Sequence, residues 1–335
     1  MERRPFLVLL TTALAGCGAT NQSTPEPTAP PTDTPTESPP TATEPTETAT
    51  DTPTESPTDT PSPEVREAQQ RLSAVTSTLD AAVEQYVGDA GETILAADAS
   101  YLEFDGDEVV AAVEEAEREL ERAREAVVTE EQEETLASLE EMTRFLRLAT
   151  ETQTSLVDAY YHLTETREAL ASADDGAAED AMSEMDAASR IASSPYQTLV
   201  EETAVSATSV LSELDTERYR RKLTQFEAEI RAFGDLRAPL DTFATAVGRL
   251  GTARALELNG STDQARQIAR DAARELDEVA AAFATFTTDL EEPADSLAEM
   301  GESLEGLATE MATETREQFG IDDEETTTAT TTTAA

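Results

Sequence analysis

The sequence predicts an all-α fold, an elongated antiparallel bundle of long, coiled-coil-like helices, on three observations. Apolar residues recur three and four positions apart through nearly all of 64–320, and no stretch sustains the alternation of a strand. Only Pro195, Pro239 and Pro293 interrupt that stretch, so long helices are free to run between them. Aromatic residues make up 4% of the chain and tryptophan is absent, so a core built mainly of Ala, Leu and Val is expected. Such small side chains favour close, thin packing of helices over one thick globule.

The first apolar stripe runs Val65, Ala68, Leu72, Val75, Leu79, Val83, Tyr86. Val109, Val113, Ala116, Leu120, Ala123 and Val127 make a second, and Leu136 through Leu170 a long third. Met182, Met185 and Ala188 carry a short fourth. Leu199, Ala207, Val210 and Leu214 lead into Tyr219, Leu223, Phe226, Ile230 and Phe233, followed by Leu236, Leu240, Phe243, Val247 and Leu250. Two more stripes follow, Ala265 to Leu290 and Leu297 to Met311. Capping signals punctuate them. Thr129 with Gln132, Ser261 with Gln264 and Ser296 with Glu299 fit the capping box, and Ser194-Pro195-Tyr196-Gln197 reads as a helix start. Pro239 lacks such company and predicts a kink in a continuing helix.

Three passages resemble one another: Leu102 to Gly106, Leu170 to Gly176 and Leu256 to Gly260 each lead into an Ala- and acid-rich helix. Their glycines lie 70 and 84 residues apart, which suggests degenerate helical-hairpin repeats.

Ahead of this body, Arg3 and Arg4 precede the apolar run Phe6 to Ala15, which ends at Leu14-Ala15-Gly16-Cys17. Ten apolar residues span about 15 Å as a helix, half a bilayer core, so residues 1–16 read as a signal peptide and not a membrane span. The residues closing on Cys17 resemble the lipobox of secreted lipoproteins, and that resemblance implies cleavage before Cys17 and lipid on its sulfur. Arg3-Arg4-Pro5-Phe6-Leu7 resembles a twin-arginine signal, which implies export after folding, although Glu2 and Val8 depart from that pattern. Cys17 is the only cysteine, so an intramolecular disulfide is excluded.

Residues 17–63 read as the lipidated N-terminus and a disordered stalk. Positions 20–63 hold 15 Thr, 12 Pro, 4 Ser and 8 acidic residues, and no Lys, Arg, Leu, Ile, Val or aromatic residue. Nothing there offsets the entropy of ordering, and proline favours an extended chain reaching on the order of 130 Å at about 3.1 Å per residue. The composition also matches O-glycosylated stalks. Residues 321–335, acidic and then Thr-rich, read as a second free segment.

The formal net charge is −48, and Lys222 is the only lysine. Between Glu64 and Ile321 there are 58 acidic and 21 basic residues, spread along the whole stretch. Such a surface repels itself over roughly 8 Å at 0.15 M salt and about 3 Å at 1 M. In composition the chain resembles proteins of salt-loving archaea. The same charge disfavours a nucleic-acid partner.

Chemistry-bearing constellations are sparse. His162, the one histidine, lacks the partners of a metal site, and a structural or surface role is expected. Asp105-Gly106-Asp107-Glu108 and Asp174-Asp175-Gly176 lack the alternating ligands of a calcium loop, so turn formation and helix capping are the expected roles. No catalytic group, cofactor or resident metal is expected. Asn21 and Asn259 both lie in N-glycosylation sequons. The expectation is a non-enzymatic lipoprotein on the extracellular face of the membrane, anchored by lipid through Cys17. Its helical body would bind another protein or an envelope component. The alternatives are a solute- or ion-binding lipoprotein serving a transporter, or a structural envelope spacer.

Overall fold

Ser62 accepts a hydrogen bond from Val65 N at 3.3 Å, and Pro63 follows in the first helical position, so the first helix opens with its free N–H groups capped. This helix, α1 (Pro63–Val87), leads through the non-helical segment 88–105 to α2 (Gly106–Arg124). Then come α3 (Glu130–Ala171), α4 (Asp175–Glu202), a 3-10 turn (Val205–Val210) and α5 (Thr216–Leu258). The chain continues through α6 (Thr262–Asp289) and a second 3-10 turn (Glu292–Leu297) to α7 (Ala298–Phe319). The computed structural model describes residues 60–321, and among these there is no strand. Arg3, Arg4, Cys17, Asn21, the stalk up to 59 and the segment from 322 onward lie outside the described residues.

Each helix packs on its neighbours in sequence, as short connections require. The two longest, α3 and α5, also touch each other, and α3 packs on α1. One apolar cluster runs through the molecule from Leu72 in α1 to Ala312 in α7. A small satellite of Ala253, Ala265, Ala269, Phe319 and Ile321 closes the far end of α5 and α6. Ile321 is therefore buried, and the folded body reaches one residue beyond the boundary at 320. It also begins at Ser62 and Pro63 instead of 64.

Helix ends follow local chemistry in most places. Thr129 accepts from Gln132 N at 3.3 Å as the N-cap of α3, and Gln132 Oε1 accepts from Val128 N, one residue before the cap, in a variant of the capping box. Asp105 and Asp174 each accept from a backbone N–H three residues on, as N-caps of α2 and α4. Two expected starts do not form. Helix α4 runs straight through Pro195, and Ser296 lies inside the second 3-10 turn without a hydrogen bond to its hydroxyl. Packing of Ala192 and Leu199, both fully buried, on either side of Pro195 outweighs the one backbone hydrogen bond that the proline removes. Ser261 does precede α6, but its side chain makes no capping hydrogen bond.

Of the three similar passages, two are alike in structure. Asp174 N donates to Ala169 O and Ser261 N to Leu256 O, the same six-residue closure at the ends of α3 and α5. The residue with positive φ is Gly260 (76°) in one and Ala173 (56°) in the other, while Gly176 lies in the first turn of α4. The third passage, ending at Gly106, closes the 88–105 segment with a turn in which Phe104 N donates to Tyr101 O at 3.1 Å, without the six-residue closure of the other two.

Candidate functional site

Two places among the described residues are built for more than helix packing. The first is a cluster of buried polar side chains where α1, α3, α5 and segment 88–105 meet. Lys222, Glu229 and Gln153 are each 0% exposed, and Gln225 is 5% exposed. The Lys222 ammonium donates to the Ala97 carbonyl, to Gln153 Oε1 at 2.8 Å and to Gln225 Oε1 at 3.2 Å. It also lies 4.6 Å from the ring centre of Phe226 and 5.3 Å from that of Tyr86. Tyr86 donates its hydroxyl to Gln153 Oε1 at 3.1 Å.

The same side chains serve the backbone of the irregular segment. Gln153 donates to Asp98 O at 2.7 Å, Gln225 to Leu95 O at 3.3 Å, and Ala99 N donates to Glu229 Oε1 at 3.3 Å. A buried backbone group outside helix or sheet needs such a partner. Gln225 also donates to Glu229 Oε1 at 3.1 Å, while Glu229 Oε2 accepts no hydrogen bond. Burial pushes the Glu229 carboxyl up to about 7, against the pull of Lys222. Burial likewise lowers the Lys222 ammonium to about 8, opposed by Glu229 and then Asp98. Burial and the Glu229 charge together raise the Tyr86 phenol.

The expected stripe on α5 is buried at Tyr219, Phe226, Phe233 and from Leu236 to Leu250, but it passed beside this cluster at two positions. The expected stripe took Leu223 and Ile230, which are only half-buried. The buried residues of α5 include Tyr219, Lys222, Phe226, Glu229, Phe233, Leu236, Leu240, Phe243, Val247 and Leu250, flanked by buried Gln225 and alanines. That set alternates spacings of three and four without a break, the heptad seam of a packed helix. Carrying the seam back from Leu250 would have placed the lone lysine and Glu229 inside it.

Gln225 is also where the cluster meets solvent. It lines a polar cleft of about 320 Å³ with Leu95, Asp98, Arg221, Glu292 and Ser296.

The second place is an open apolar groove of about 400 Å³ between α5 and α6. Ala228, Ala232, Pro239, Ala282, Phe286 and Leu290 line it, and small alanines on both helices leave the space. Its rim carries Arg231, Asp235, Asp289 and Glu291, three carboxylates against one guanidinium. Arg231 bridges Glu227 at 3.0 Å and Glu291 at 2.5 Å.

The sequence candidates fall elsewhere. His162 shares a hydrogen bond with Glu165 at 2.8 Å on the partly exposed side of α3. Asp105 and Asp174 cap helices, and no group of three or more potential metal ligands occurs among the described residues. Asn259 is exposed at the end of α5, its side-chain amide donating to Ala255 O at 2.9 Å. No helix among the described residues is long and apolar enough to cross a membrane. No family model, curated protein or solved structure matches this chain.

Proposed function

We propose that this chain is a lipid-anchored extracellular binding module. Cys17 ties it to the membrane, the Thr- and Pro-rich stalk spaces it outward, and the α5–α6 groove receives a segment of another protein or envelope component. The groove carries the reading: it is apolar at its floor, open to solvent and acidic at its rim. A fitting partner segment bears apolar side chains flanked by lysine or arginine, which meet the surplus carboxylates. The polar cleft at Gln225 supports a second reading, a small-solute site serving a transporter, because a few convergent polar groups in a concave site are what such ligands require.

The test uses the full chain with Cys17→Ser, so that it stays in solution, and a matched variant carrying Ala282→Arg. Ala282 is half-buried in the groove wall, and arginine there fills the groove and opposes a basic partner. Envelope components retained in molar salt are expected on the first protein and lost from the second, with helix content unchanged by circular dichroism. Identical retention by both would eliminate the groove as the docking site. Anchoring is checked separately by the mass of the peptide beginning at Cys17 in membrane-extracted protein.

A further inference from the structure

We propose that segment 88–105 is a strap that lifts from α3 and α5 as a unit while the helices stay folded, with Lys222 and Glu229 as its latch. The segment is the longest stretch without helix between the described helices. Its grip on the frame is concentrated: Leu95 O, Ala97 O, Asp98 O and Ala99 N are held by Gln225, Lys222, Gln153 and Glu229 in turn. Internal ties keep it together when it moves. Asp89 N donates to the Tyr101 hydroxyl at 3.1 Å, and Asp98 Oδ1 accepts from both the N–H and the hydroxyl of Ser100.

The strap begins at Gly88, whose φ of 50° suits glycine and where an added Cβ would meet the Tyr101 hydroxyl at 2.8 Å. Clefts flank it on two sides: the polar cleft at Gln225, and one of about 210 Å³ bounded by Val87, Gly91, Ile94 and Glu213. Three of the strap's own residues, Ile94, Ala97 and Ala99, are fully buried, so the closed form predominates. Glu229 Oε2, buried without a hydrogen bond, makes the latch an incompletely satisfied one. The ionisable groups facing the latch are Tyr86 from α1, Asp98 from the strap itself, and the pair on α5. Opening brings water to the Lys222 ammonium, which the closed strap hides completely.

Because Lys222 is the only lysine, acylation by an amine-reactive ester reads the opening at one site. The full chain is exposed to the reagent at one fixed pH, and modification of the peptide containing Lys222 is followed by mass spectrometry. The strap predicts modification faster than global unfolding allows, with a weak dependence on urea, and amide exchange at 88–105 ahead of α3 and α5. Glu229→Gln, which removes the opposing charge, raises the modification rate at least about tenfold, the equivalent of about 1.4 kcal/mol. Asp98→Asn, on the more exposed side of the pair, raises it less and serves if Glu229→Gln does not fold. Modification that tracks global unfolding in rate and urea dependence, or a rate that neither variant changes, overturns the proposal.

Discussion

Lys222 is the only lysine, and every other residue of the Lys and Arg class in the chain is arginine. The arginines work at the surface, bridging carboxylates such as Glu115 to Arg118 at 2.6 Å and Glu117 to Arg147 at 2.8 Å. A buried ammonium instead offers three rotatable donors to three acceptors on different elements, which a planar guanidinium does not match. The pair nevertheless costs stability when both groups are charged. Glu229, raised to about 7, contributes stability that is present below the ordinary carboxylate value of 4.5 and is lost as pH rises through about 7. Lys222, lowered to about 8, contributes stability that is present above its ordinary 10.5 and is lost as pH falls through about 8. Lys222→Met alone is expected to lose about 3 kcal/mol, because it strands a buried carboxylate and three acceptors. Lys222→Met with Glu229→Gln should regain more than half of that. Relative to the native chain, the double variant gains from pH 4.5 to 7 and loses from 8 to 10.5. Urea midpoints across this range check it, and a constant difference between the two proteins would refute the role of the pair.

At the scale of the element, helix ends were readable at Asp105, Thr129 and Asp174, whereas Ser62 and Asp215 were not singled out and Ser261 and Ser296 make no capping hydrogen bond. Ser62, Asp105, Thr129, Asp174 and Asp215 all cap with their own side chains, because the donor each one satisfies lies three residues away. Pro195 misled because its cost, one lost hydrogen bond, is local while the packing that overrules it comes from other helices. The paired turns at the ends of α3 and α5 give a clean comparison. Ala173 sits at a φ of 56°, where an L side chain is strained, and Gly260 occupies the matching place without strain. Ala173→Gly should stabilise by about 0.5–1 kcal/mol, and Gly260→Ala should destabilise by a similar amount. Thermal unfolding of the two variants measures this; shifts of the same sign would argue against equivalence of the turns.

Across the whole molecule the dominant quantity is charge. Acidic residues outnumber basic ones by 48 over the full chain, and the body alone carries about 37 net negative charges. Salt bridges on its surface are mostly between exposed partners and contribute little each. Self-repulsion therefore has to be met by screening. Raising salt from about 0.1 M to 1 M, which shortens the Debye length from about 10 Å to 3 Å, should raise the melting temperature by several degrees. Sodium and potassium chloride should act alike at equal ionic strength, and a melting temperature indifferent to salt would contradict the screening account.

By itself the sequence determined that the body is all helix, where most helices begin and end, and how much charge the fold must tolerate. Each of these follows from spacing, capping and composition, which act within a few residues or over the whole chain at once. The inward face of α5 matches the expected stripe at Tyr219, Phe226, Phe233 and beyond, but the burial of Lys222 and Glu229 beside half-buried Leu223 and Ile230 emerged only with the packed helices. Lys222, Gln225 and Glu229 supply the donors and the acceptor needed by the Leu95 and Ala97 carbonyls and the Ala99 N–H, which lie 125 to 130 residues away in sequence. The groove between α5 and α6 was likewise invisible in one dimension, since it exists only where alanines from two helices face each other.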